Sequence, residues 1–70
     1  MNDATRHILR FFQYHHLPEG RGRDVSKMMC GVADILANTL PDDPESTAAL
    51  RKLLEAKDAA VRAALGIKVM

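Results

Sequence analysis

Residues 50–65 alternate between apolar and polar with the period of an α-helix. At about 100° per residue, Arg51, Glu55, Asp58 and Arg62 share one face, while Leu50, Leu53, Leu54, Ala60, Val61, Ala64 and Leu65 share the other. The polar row steps from Arg51 to Glu55 and from Asp58 to Arg62, so successive turns can pair at about 0.2–0.5 kcal/mol per pair. Lys57 breaks the pattern by landing inside the apolar arc. There it must either snorkel to solvent or meet an anion.

A second amphipathic pattern starts at Asp24, with Val25, Met28, Met29, Val32, Ile35, Leu36 and Leu40 on one arc and Lys27, Asp34 and Asn38 opposite. Asp24 suits the positive end of the helix dipole. Pro41-Asp42-Asp43-Pro44 stops this helix and starts the next, since Asp43 can cap and Pro44 fits the first helical position. Upstream, Ile8, Leu9, Phe11 and Phe12 recur closely enough for a short helix with Asn2 or Asp3 as N-cap. Pro18 disfavours helical geometry at Leu17, and Glu19-Gly20-Arg21-Gly22 is a flexible break, so residues 15–23 read as a loop. The expected fold is all-α and a single domain: an N-terminal helix and loop over residues 1–23, then an antiparallel two-helix hairpin over 24–65.

Seventy residues bury only about 60% of their unfolded surface, which leaves an isolated core marginal. The single Cys30 rules out an internal disulfide, so self-association is the expected supplement. Two features support it. The second helix's apolar arc is wider than one partner helix covers, and Ala56, Ala59, Ala60 and Ala63 form a line of small residues along the third helix that another helix could approach closely. No signal peptide is evident and no apolar run nears the roughly 18 residues of a membrane span, so a cytoplasmic protein without a membrane partner is expected.

The net charge of +1 becomes informative when divided along the chain. Residues 1–30 carry five basic and three acidic side chains, residues 31–50 carry four acidic and no basic ones, and residues 51–70 carry five basic and two acidic. A hairpin puts Asp42, Asp43 and Glu45 at its closed end and brings the basic flanks together at its open end. Lys57 should lie about level with Lys27, and Arg62 about level with Arg21 and Gly22, at 1.5 Å rise per residue. The open end should attract anions.

His7, His15, His16 and Cys30 are the soft metal ligands, and they lack both a short cysteine pair and a His-x-x-x-His spacing. A metal site is therefore not expected, and His15 and His16 read as loop residues or ligand contacts. No Ser-His-Asp order, nucleotide-binding glycine fingerprint or phosphate loop is present, so neither catalysis nor a cofactor is expected. Gly20-Arg21-Gly22-Arg23 reads as a flexible basic loop or as a phosphate cradle. Tyr14, the only tyrosine, either finishes the apolar side of the first helix or offers a stacking platform for a base, with Lys27, Lys57, Arg21 or Arg23 near the phosphates. A small oligomeric DNA-binding regulator is the alternative. It would be expected to show a basic face and a pI above about 9, whereas this chain has a pI near 8.0, so nucleic acid is not the expected partner.

The words Tyr14-His-His16-Leu17-Pro18, Val25-Ser26-Lys27, Leu40-Pro41 and above all Leu50-Arg-Lys-Leu-Leu-Glu-Ala-Lys-Asp-Ala-Ala-Val-Arg62 carry a resemblance. Across roughly residues 8–65 the chain resembles the phage-encoded helical-hairpin domain shared by sponges of cyclic oligonucleotides, which block CBASS immunity, and by related sponges that block Thoeris immunity. The resemblance implies a non-catalytic phage or prophage immune-evasion protein in the cytoplasm of a bacterial host. It would bind cyclic dinucleotides or cyclic trinucleotides, or alternatively an ADP-ribose-type signal, without cleaving them. It also implies a homo-oligomer, commonly a hexamer, with pockets shared between protomers. In such sponges an aromatic residue before the hairpin stacks on a base and a lysine in the first long helix holds phosphate. Tyr14 stands in the matching Tyr-x-x-Leu context, and Lys27 matches the lysine approximately. With His16, Arg21, Arg23, Lys57 and Arg62 they form the expected ligand-binding set.

Overall fold

Asp43 and Pro44 start a helix because the Asp43 side chain accepts the Ser46 N–H at 3.1 Å and proline fits the first turn. This cap opens the longest element of the computed structural model, which describes residues 3–66. Among those residues the chain is all-helical: α1 (Asp3–Leu9), α2 (Arg21–Thr39) and α3 (Pro44–Ala64). Gly66, at φ 77°, closes α3 in the left-handed region that glycine tolerates best, its N–H bonded to the Ala63 carbonyl at 3.1 Å.

Both α1 and α2 pack on α3. Ile8, Ala33 and Leu50 form the buried centre, with Leu9, Phe12, Leu36, Leu53 and Leu54 packed around it. A buried hydrogen bond between the Thr5 and Thr47 hydroxyls, 3.0 Å long, ties α1 to the first turns of α3. Outward from the link at residues 40–43, Leu36 packs on the cluster that holds Leu50. Cys30 then lies in the field of Lys57, and Gly22 lies beneath Leu65. A Cβ at position 22 would come within 2.7 Å of the Leu65 side chain, so glycine sets the closeness of approach there.

Three sequence expectations need correction. Helix α2 begins at Arg21, not Asp24, so residues 21–23 belong to a helix instead of a loop. The break is at Gly20, whose φ of 143° few other residues adopt, and the Asp24 N–H already bonds the Gly20 carbonyl at 3.0 Å. Helix α1 stops at Leu9, and Phe11 and Phe12 continue as tight turns onto the Ile8 and Leu9 carbonyls. Asn2, the other candidate cap of α1, lies outside the described residues.

The third correction concerns which row of α2 is buried, since the exposure of Met28, Val32 and Ile35 agrees with an apolar arc wider than one helix covers. Its buried row is Gly22, Ser26, Cys30 and Ala33, whereas Met28 and Ile35 of the apolar arc are 61% and 65% exposed and Val32 is also exposed. At about 100° per residue the Met28–Val32–Ile35 row lies away from the buried row. Small side chains let α2 approach α3 closely, and that closeness orients the helix in place of its bulkiest residues. On α3 the polar row does face solvent, but among the described residues no ion pair joins Arg51 to Glu55 or Asp58 to Arg62; Asp58 instead lies 3.9 Å from the Lys57 ammonium.

Loss of the α3 cap in Asp43→Ala should cost about 1 kcal/mol, within the 0.5–2 kcal/mol typical of such caps. Urea denaturation followed by far-UV circular dichroism should show a lower midpoint at unchanged slope.

Candidate functional site

The segment between α1 and α2 lies across α2 and α3 as a strap, and the hydrogen bonds of its carbonyls explain how it is held. Carbonyls at the end of a helix lack intrahelical partners and must find others. Those of Ile8 and Leu9 accept the Phe11 and Phe12 N–H groups, each at 3.1 Å. The Phe11 carbonyl accepts from Lys57 Nζ at 2.7 Å, and the Gln13 carbonyl accepts from Ser26 Oγ at 2.8 Å. The Tyr14 carbonyl accepts the Leu17 N–H at 3.1 Å, which closes a turn over 14–17.

This strap resolves the choice left open for Lys57. The residue is 7% exposed, so it does not snorkel; its ammonium turns inward onto a peptide carbonyl, with the Phe12 ring centroid 5.9 Å away. A charge-assisted hydrogen bond and a cation–π contact together offset the loss of water. Position 57 belongs to the apolar arc by burial; its ammonium meets the Phe11 carbonyl at 2.7 Å and, at the longer distance of 3.9 Å, the Asp58 carboxylate as well.

Beside the strap, Tyr14, Glu19, Gly20, Arg23, Asp24 and Lys27 line an open cleft of about 440 Å³. The Tyr14 ring is half-buried and stacked on His15, with centroids 4.1 Å apart and planes inclined by 28°. The Arg23 guanidinium and the Lys27 ammonium each lie 5.8 Å from the Tyr14 centroid. The cleft also faces the start of α2, where Gly20 gives no side-chain cap and the helix dipole is positive. Glu19 and Asp24 bring two carboxylates that can accept from amino groups. The cleft therefore offers an aromatic face, two cations and two acceptors.

A second cleft of about 200 Å³ opens on the other side of the turn, lined by His16, Leu17, Ser26, Lys57, Asp58, Val61 and Arg62. The expected ligand-binding residues are thus divided between two places. Tyr14, Arg23 and Lys27 come together, His16, Lys57 and Arg62 come together, and Arg21 is exposed and lines neither cleft. The 14–17 turn contributes Tyr14 to the first cleft and His16 and Leu17 to the second. Sequence reading missed Ser26, which is fully buried, and the two carboxylates of the first cleft. A polar residue in a helix reads as solvent-facing; the signal for Ser26 was its place between Gly22 and Cys30, a row of small residues four apart.

Among the described residues no group of three or more His, Cys, Asp or Glu side chains converges as a metal site, and no helix is long and apolar enough to cross a membrane. Burial pushes the Cys30 thiol above its ordinary value of 9.0; Lys57 and the neighbouring Ser26 hydroxyl oppose the rise, and Asp34 adds to it. Below pH 9 the thiol is neutral folded and unfolded alike. Above pH 9 the unfolded chain ionises first, so the stability contributed by Cys30 is lost as pH climbs through the raised folded value. Native Cys30 should accordingly react with iodoacetamide at pH 8 about tenfold or more slowly than in the urea-unfolded chain, as judged by mass spectrometry; equal rates would contradict its burial.

Compared with protein-family models, curated proteins and solved structures, the chain matches none.

Proposed function

We propose that the protein binds and sequesters a cyclic dinucleotide or cyclic trinucleotide without altering it, as a homo-oligomer acting in the cytoplasm of a bacterial host to block CBASS signalling. The observation that carries this reading is Tyr14 set between Arg23 and Lys27 at the mouth of an open cleft. A cyclic dinucleotide presents flat bases and two phosphates, so its pocket needs aromatic surface for the first and cations for the second. In this assignment Tyr14 stacks on a base, Lys27 and Arg23 hold phosphate, and Glu19 or Asp24 accepts from an exocyclic amine. One chain has one tyrosine. Two chains about a two-fold axis bring Tyr14 and Lys27 twice, which matches the near-symmetry of the ligand.

Self-association is supported by the exposed Met28, Val32 and Ile35, apolar side chains that α3 does not cover. The stepwise contacts from Leu36 near Leu50 to Gly22 beneath Leu65 fit an antiparallel hairpin presenting that row outward. A hexamer is the assembly that the sponge resemblance favours. Multi-angle light scattering on a sizing column should report several chains per particle. A well-folded monomer at micromolar concentration would overturn the shared pocket.

Calorimetric titration with cyclic dinucleotides and trinucleotides should show binding, and heat denaturation should release the ligand intact for mass spectrometry. Stacking is worth about 1–3 kcal/mol per base, so Tyr14→Ala acting on two bases should cost about 2–6 kcal/mol. No binding, or release of a linearised product, would sink the proposal. Binding confined to ADP-ribose-type molecules would move the protein to Thoeris signals. A gel shift with duplex DNA that weakens steeply with salt would instead favour the regulator.

A further inference from the structure

The carbonyls of the strap do not find their partners within the strap alone. Phe11 and Gln13 flank the backbone that leads into Tyr14, and each gives its carbonyl to a buried side chain of a different long helix: Lys57 of α3 at 2.7 Å and Ser26 of α2 at 2.8 Å. Lys57 is 7% exposed and Ser26 fully buried, so each carbonyl is held by a donor fixed in the interior of a long helix's packing face, at the edge of the second cleft. Just beyond, the 14–17 turn is closed by its own hydrogen bond. The Tyr14 ring, by contrast, stacks on His15 and lies 5.8 Å from the Arg23 and Lys27 cations, and all three of these neighbours are at least partly accessible. Its place beside the cleft is therefore set through the backbone.

We infer that Lys57 and Ser26 are positioning residues that pin the strap at the Phe11 and Gln13 carbonyls and so hold Tyr14 in the orientation in which its ring meets Arg23 and Lys27. The inference deepens the proposed function, because it rests on Tyr14 belonging to the ligand site, yet the pinning itself is independent of any ligand. It also explains why a lysine occupies an apolar arc. A methionine would fill the same space but leave the Phe11 carbonyl without its donor, and Lys57 lines the second cleft, not the one that holds Tyr14.

With one tyrosine and no tryptophan, intrinsic fluorescence reports Tyr14 alone. Acrylamide quenching is the test, on Lys57→Met, Ser26→Ala and, as a control for lowered stability, Asp43→Ala at the distant end of α3. At temperatures where each variant keeps wild-type helicity, the quenching constant should rise about twofold or more in K57M and S26A and stay unchanged in D43A. Equal quenching in all folded variants would overturn the inference, as would an equal rise in D43A. Should K57M or S26A fail to fold, the wild-type protein decides by NMR. A slowly exchanging Lys57 ammonium, coupled across the hydrogen bond to the Phe11 carbonyl carbon, is expected. An ammonium that exchanges as fast as that of Lys52 would overturn the pin.

The link to the site is read separately with a cyclic dinucleotide as probe. If wild type binds it, release of the strap should weaken K57M about tenfold, as for a site whose competent form falls to a tenth of the molecules. Undiminished affinity would overturn the positioning role even where the pin is real. Should wild type bind none, the proposed function falls, and the quenching result still decides the pin.

Discussion

The hydrogen bond from the buried Lys57 ammonium to the Phe11 carbonyl fixes the strap that follows α1 on the long helices, where the sites begin. Hydrogen bonds to charged groups contribute about 1.5–3 kcal/mol net. A domain of this size rarely derives more than about 3–5 kcal/mol from its core. The bond is therefore comparable to the whole margin of stability. Its loss is asymmetric: Phe11 is an exposed residue, whereas Lys57 left alone is a buried ammonium that has lost its 2.7 Å acceptor. The Phe12 ring, also in the core, sits close enough to the ammonium to share in that environment.

Placement of the strap decides the electrostatics. A chain with net charge +1 has no excess of cations to spread over a surface, so their grouping matters more than their number. The 14–17 turn runs between two groups, leaving Arg23 and Lys27 with Tyr14 on one side and His16 and Arg62 over Lys57 on the other. Each group is tempered by carboxylates, Glu19 and Asp24 in the first and Asp58 in the second. Under the proposed function, such balance suits a ligand that carries both phosphate and amino groups better than a bare polyanion.

The same economy of space shapes α2. Gly22, Ser26, Cys30 and Ala33 give little apolar area to the interior, and in exchange they let α2 lie close to α3 and accommodate a buried lysine beside them. Met28, Val32 and Ile35 are consequently displaced outward. Met28 and Ile35 are more than half exposed on the helix side away from α3, which is how the monomer's marginal core and the proposed self-association become one feature of packing.

Much of the helical framework was legible in the chain. Asp43 and Pro44 announced the start of α3 because capping and proline geometry are local, and the period of residues 50–65 placed Lys57 in the buried arc because side-chain direction follows from helical twist alone. The start of α2 was misplaced, since Gly20 and Gly22 both read as breaks and only one adopts a positive φ. The other is glycine for the sake of Leu65, a residue 43 positions away along the chain. Likewise the partner of Lys57, the burial of Ser26 and the division of the cations into two clefts all depend on where the strap crosses the long helices. Those crossings join residues 13 and 46 positions apart, and hydrophobic periodicity carries no information about pairings between segments. The chain by itself determined that three helices form, though not where α2 begins, and which charges exist; the tertiary structure decided which of them meet, because a hydrogen bond to a strap carbonyl requires a position in space that local sequence does not specify.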